Sequence, residues 1–264
     1  MNVLVILVDP KQTGMTSGAV ERLAARGTRF VEAYACEARP WQQRLQAAGV
    51  VHAEVSLEEV TPDEAATWIE RRATEGPWSL CVDATGLDAQ RFDHALTALL
   101  DRLDSDQASA TTQVILVGAA RRSARGFERM ALIVSGPDVP SSHVCATPVS
   151  AADLYRTVLY AARLPLSTAE AETPMRSLQG IANEPDDRAR IIMDSRFEWL
   201  KAGRFVVHRA PLGAELFDLQ TDPDRTRNLA EQATMQPIVE HLIAGMDAAR
   251  DAALPCTAIP HRIA

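Results

Sequence analysis

Close cysteine pairs, long apolar runs and an excess of basic residues are all missing from this chain, and each absence excludes something. The four cysteines, Cys36, Cys81, Cys145 and Cys256, stand far apart with no CxxC pair. Scattered thiols argue against a zinc site and read as reduced, buried residues of a cytoplasmic protein. The opening run from Val3 to Val8 is too short for a signal-peptide core. No later stretch approaches the roughly 18 apolar residues of a bilayer span, so no membrane partner is expected. The net charge of −8 argues against a nucleic-acid binder, which normally carries a basic patch. The one local basic group, Arg121, Arg122 and Arg125, reads as a solvated loop.

What the chain does have is apolar substance and alternation. Of its 264 residues 47% are hydrophobic, enough for a large core. Residues 3–8 form a continuous apolar run, rich in β-branched residues and ending at Asp9-Pro10, the pattern of a strand buried on both faces of a parallel sheet. Helical spacing follows from Gly18 to Ala25, with Gly27 as its expected C′ residue. A strand is expected over Thr28–Ala35, a helix over Trp41–Ala48 and a strand over Val50–Val55. Thr61-Pro62-Asp63-Glu64 combines an N-cap, Pro at the first helical position and a capping-box Glu. Further strands are expected at Trp78–Asp83, Val114–Val117 and Ala131–Ser135, with helices at Asp88–Leu103 and Ala151–Ala162. Such alternation predicts an α/β fold, a doubly wound, mainly parallel sheet with helices on both faces.

The pattern changes after this point. Residues 167–187, rich in Pro, Glu, Ser and Asp, read as a linker or surface loop. Ala189–Met193, Phe205–His208 and Glu215–Leu219 predict a small antiparallel sheet, closed by a helix over Gln236–Ala252. The expected division is a core domain over 1–166, a linker over 167–188 and a small C-terminal antiparallel α+β subdomain over 189–264.

Four ordered segments resemble the sulfatase family of the alkaline-phosphatase-like superfamily. The first runs from Asn2 to Tyr34, with Asp9 after the opening strand, the helix Glu21-Arg22-Leu23-Ala24-Ala25-Arg26-Gly27, and Ala33-Tyr34. The second is Ala98–Gly118. The third is Ala131–Pro165, where Leu132-Ile133-Val134-Ser135-Gly136-Pro137 and Pro148-Val149-Ser150-Ala151-Ala152-Asp153-Leu154-Tyr155 look like the family's "PLIIRGPG" and "PVSLVDLY". The fourth contains Glu215-Leu216-Phe217-Asp218-Leu219 and Asn228-Leu229-Ala230, similar to the family's "ELYDL…NLA". The chain is identified as a shortened and degenerate member.

The resemblance implies a formylglycine nucleophile, made from a C-x-P-x-R motif, and calcium held by several oxygens. Neither half is complete here. Cys36 opens Cys36-Glu37-Ala38-Arg39-Pro40, whose fifth residue is Pro40 rather than Arg. If Arg44 is instead the motif arginine, the nucleophile position falls on Pro40, which cannot react. Asp9 matches the first metal ligand, but its neighbour is Pro10, and Ala119-Ala120 stand where the later ligand pair should follow the strand. Asp9 therefore reads as a capping or loop-ordering residue. His52, Asp83 and His208 read as structural polar residues. The implied function is a non-catalytic binding or interaction module. The alternative is a sulfuric- or phosphoric-ester hydrolase with a reduced or re-formed metal site. No cofactor is expected, with calcium or another divalent cation needed only if activity is retained. The expected partner is a second copy of the chain or a full-length sulfatase relative.

Overall fold

The computed structural model describes residues 2–9, 17–34, 41–73, 76–105, 107–118, 130–168, 176–185, 192–194 and 199–252. Its main sheet has seven strands: β1 (Asn2–Val8), β2 (Gly27–Phe30), β4 (Val51–Ser56), β5 (Trp78–Asp83), β6 (Thr112–Gly118), β7 (Leu132–Ser135) and β8 (His143–Cys145). They lie in the order β4-β5-β1-β6-β7-β2-β8. All neighbours pair in parallel except at β7, which runs antiparallel to both β6 and β2. Two short strands, β3 (Ala33–Tyr34) and β9 (Val149–Ser150), pair beside it.

The alternation of β1 sorts the core into two layers. Val3 and Val5 face one layer with α2 (Trp41–Ala47) and α5 (Ala151–Ala161). Leu4, Ile6 and Val8 face the other, with α1 (Gly18–Ala25), α3 (Pro62–Ala73) and α4 (Ala89–Ser105). This is the doubly wound, mainly parallel α/β fold expected from the alternation. Each fully buried Leu or Ile on such a strand contributes about 1.5–3 kcal/mol. The capping box of α3 forms as predicted: Glu64 Oε2 accepts from Thr61 N at 2.7 Å, and Glu64 N donates to Thr61 Oγ1 at 3.2 Å.

A second, four-stranded antiparallel sheet comprises β10 (Ile192–Asp194), β11 (Trp199–Ala202), β12 (Phe205–Ala210) and β13 (Gly213–Asp218). Leu200, Val207 and Leu216 pack against Val239, Leu242 and Met246 of α7 (Gln236–Ala252). The opposite face carries Trp199, Val206 and Phe217. On that face Lys201, 3% exposed, donates to Gly203 O at 2.7 Å and lies 3.7 Å from Glu32 of the main body.

Several local expectations differ from the structure. Residues 178–183, inside the stretch expected to be a linker or surface loop, form the helix α6 (Leu178–Asn183). Leu178, Ile181 and Ala182 bury in the layer shared with α2 and α5. Their i, i+3, i+4 spacing is apolar, but a polar neighbourhood hides it. The strand expected over 28–35 is two strands, broken at Val31-Glu32. Three expected C-terminal strands are four, because β11 lies in a stretch that looks like a turn. Gly27 follows α1 as expected but opens β2 rather than forming a left-handed cap. A Cβ there would overlap Val134 O and Ser135 of β7, so the glycine serves close strand approach. Gly27→Ala is therefore expected to cost on the order of 3 kcal/mol by overpacking. A urea midpoint unchanged from wild type would contradict it.

Candidate functional site

Parallel strands end at one edge of a sheet, and α/β folds place their sites there. In this chain Leu7 pairs with Asp83 and Val8 with Gly118. Asp9, half-buried, thus leaves β1 between the ends of β5 and β6. Backbone bonds sew three strand ends together. Ala84 N donates to Leu7 O at 2.9 Å, and Leu57 N donates to Asp83 O at 2.9 Å. The Asp83 carboxylate is turned into its own loop, where Oδ1 accepts from Thr85 N at 2.9 Å and Thr85 Oγ1 at 2.7 Å. Glu58 lies against Gly86, where any Cβ would overlap its carboxylate.

The chain that leaves at Asp9 is described again from Ser17, the N-cap of α1. Two side chains cap that helix. Ser17 Oγ accepts from Val20 N at 3.2 Å, and Asp93 of α4 accepts from Ala19 N at 2.9 Å. The Ala19 N–H, then the Ser17 hydroxyl, hold the Asp93 carboxyl below its usual range. A second clamp joins the same helices: Arg22 reaches Asp101 and Asp104 at 2.6 Å each, and Arg26 reaches Asp104 at 2.7 Å. Hydrogen bonding by Arg26, then by Arg22, likewise lowers the Asp104 carboxyl.

The structure separates most of the residues singled out in the sequence. His52 pairs in register with Ser79 while Ser56 pairs with Asp83, so His52 lies four residues, roughly 13 Å, below the carboxyl edge. Its buried ring places Nε2 3.3 Å from Glu54 Oε1. His208 belongs to the second sheet, stacked on Trp199 at 4.2 Å and bound to Glu215 at 2.9 Å. Arg44 lies on α2 and donates to Pro165 O at 3.0 Å, tying that helix to the turn after α5. Cys36, Arg39, Pro40, Pro10, Ala119, Ala120 and the Arg121, Arg122 and Arg125 group lie outside the described residues. Cys81 is buried in β5, and burial, then the charges of Glu54 and Asp83, push its thiol up to about 12, which keeps it an unreactive thiol.

Calcium takes roughly 6–8 oxygen ligands. Among the described residues no three His, Cys, Asp or Glu side chains converge to hold a cation. With Asp83 Oδ1 committed to its turn, the described residues do not fit the calcium that the resemblance implied. Nor is any helix of the described residues long and apolar enough to cross a membrane.

By sequence, no protein-family model and no curated protein matches the chain. Solved structures do match. A protein solved with its substrate D-glucosamine-2-N,6-O-disulfate aligns with a TM-score of 0.76 at 10% identity, over 95% of this chain and 97% of that one. A 2-O GAG sulfatase aligns with a TM-score of 0.73 at 12% identity, over 98% and 95%. A sulfatase from Pseudoalteromonas sp. aligns with a TM-score of 0.72 at 11% identity, over 97% and 91%. The chain has the sulfatase fold. At these identities the likeness carries the fold alone, so the roles of residues on the sulfatase frame rest on the geometry above.

That geometry makes a testable claim about how the edge is anchored. Asp93 is depressed in the folded chain, so its stabilisation is complete above the usual carboxylate range and is lost as pH falls through the folded value. Asp93→Ala removes this cap and is expected to cost about 1 kcal/mol at neutral pH. The difference between variant and wild type should shrink below about pH 4, near the unfolded carboxylate value. A pH-independent gap in urea stability would refute the assignment.

Proposed function

We propose that this sulfatase-fold chain is a non-catalytic binding or interaction module. One observation carries the reading. The register pairs Val8 with Gly118, and in the sequence β1 is followed by Asp9 and β6 by Ala119-Ala120. Hydrolysis of a sulfate or phosphate ester needs an in-line nucleophile and a cation or equivalent charge on the anionic oxygens. Two methyl side chains cannot ligate a hard cation, and a single carboxylate holds one weakly. The nucleophile motif is incomplete in both possible alignments, on Cys36 and on Arg44.

Purified protein is therefore expected to show no turnover of aryl sulfates or aryl phosphates in the presence of calcium, magnesium or zinc. Robust turnover abolished by Asp9→Ala would overturn the reading. The alternative, an ester hydrolase with a reduced or re-formed metal site, draws on one observation: β5 ends beside β1, which brings Asp83 near the strand that carries Asp9. It requires stoichiometric metal and a rise in Tm on metal addition. Neither is expected, and finding both would favour it.

The same reading favours a protein partner, either a second copy or a full-length sulfatase relative. Sedimentation velocity is expected to show self-association, or a new boundary when such a relative is added. A chain that stays monomeric under both conditions would remove the partner from the proposal.

A further inference from the structure

Beside the strand ends, on the layer built by α3 and α4, the surface folds into a pocket of about 280 Å³. Leu57, Pro62 and Leu87 form its apolar part, and Gln90, Arg91 and His94 of α4 supply its polar part. Leu57 and Leu87 are only 4% and 5% exposed, so they belong to the core layer as well as to the pocket. The backbone bond from Leu57 N to Asp83 O fixes that part to the end of β5. The pocket is thus preformed on rigid elements at the ligand-binding edge of the fold.

The polar wall is donor-rich, and its three side chains are exposed and open to a ligand. Among the described residues the side chains of Gln90, Arg91 and His94 have no hydrogen-bond or ion-pair partner. Arg22, Arg26, Arg29, Arg204 and Arg209 each hold a carboxylate instead. Neighbouring acidic side chains are used elsewhere. Asp88 Oδ1 accepts from Arg91 N at 2.8 Å to cap α4, Glu64 is bound to Thr61, and Glu58 lies over Gly86. None of Asp88, Glu64 and Glu58 lines the pocket. Arg91 and His94 are three residues apart, on one face of α4.

We propose that this pocket binds a small amphiphilic anion, a one-ring body carrying a carboxylate, phosphate or sulfate. The ring lies on Leu57, Pro62 and Leu87, and the charged group meets the Arg91 guanidinium with Gln90 and His94 as supporting donors. The volume sits near the lower end of small-molecule sites, which begin at about 300 Å³, and limits the body to one ring. The site is separate from the proposed loss of catalysis, because no residue of the pocket belongs to the nucleophile or metal positions.

Calorimetric or NMR titration of the full chain tests it, with benzoate, phenyl phosphate and phenyl sulfate as probes and a neutral phenyl glycoside as control. Saturable binding of at least one anion is expected, with the ranking of the three identifying the preferred group. Arg91→Gln should weaken it by about tenfold or more, the loss expected when a charge-assisted hydrogen bond is removed. His94→Gln should weaken it less, and Arg71→Gln, an exposed arginine of α3 outside the pocket, should leave it unchanged. No saturable binding at millimolar anion, equal binding of the neutral glycoside, or full binding by a folded Arg91→Gln variant would each overturn the site. Turnover of phenyl sulfate by the wild type would overturn the non-catalytic reading while leaving this site standing.

Discussion

The two-sided pairing of β1 is the constraint on which the rest of this molecule depends. Every residue from Val3 to Val8 meets β5 on one side or β6 on the other, and most meet both. The same strand divides its side chains between two helical layers. A one-residue slip would exchange the layers and move each apolar group against the wrong helices. Burial on both faces therefore fixes register, and register fixes which strand ends meet at the carboxyl edge.

From that edge the architecture follows in steps. Asp9 emerges between two neighbouring strands because β1 is central, with β5 and β6 ending on either side of it. Capping by Ser17 and Asp93, together with the arginine clamp to Asp101 and Asp104, holds α1 against α4. The same α4 presents Arg91 and His94 to the pocket beside β5. One helix thus anchors α1 on one flank and walls a concavity on the other. The second sheet is tied in differently, through a Lys201 side chain almost wholly removed from water and set near Glu32. Removing one partner of such a pair costs more than forming it gains, because the other charge stays buried.

Much of this was legible in the sequence, for physical reasons that differ by element. β1 was legible because six consecutive apolar residues, closed by Asp9-Pro10, suit a strand buried on both faces and are too short for a core helix. The start of α3 was legible because Thr61, Pro62 and Glu64 each answer a separate demand of a helix N-terminus. β11 was not, because Trp199-Leu200-Lys201-Ala202 buries a lysine where alternation predicts a solvent-facing one. α6 was missed because its apolar stripe is short and its flanks are polar. At the edge itself, Asp9 and Asp83 could be found as carboxylates after strands. Their roles could not, since the turn bonds from Thr85 to Asp83 appear only with coordinates. Arg91 and His94 gave no signal at all, because an exposed Arg and His on an amphipathic helix look like any solvated face until the fold sets them beside an apolar pocket.

A sulfatase frame that stands without the edge chemistry, as the proposed function requires, has a direct energetic account. The frame is held by terms that do not involve the edge chemistry: apolar burial in two layers, parallel ladders, helix caps and close strand approach at Gly27. Catalytic and metal-binding groups contribute little to that stability and often strain it, since clustered carboxylates repel until a cation arrives. Uncharged residues such as Pro10, Ala119 and Ala120 would add no such repulsion at these positions in the sequence. Asp9 itself is half-buried at the end of β1 and has a contact of its own. A frame stabilised independently of its chemistry can lose the chemistry and keep the edge. What such an edge retains is rigidity and concavity, and these are the two properties a binding module requires.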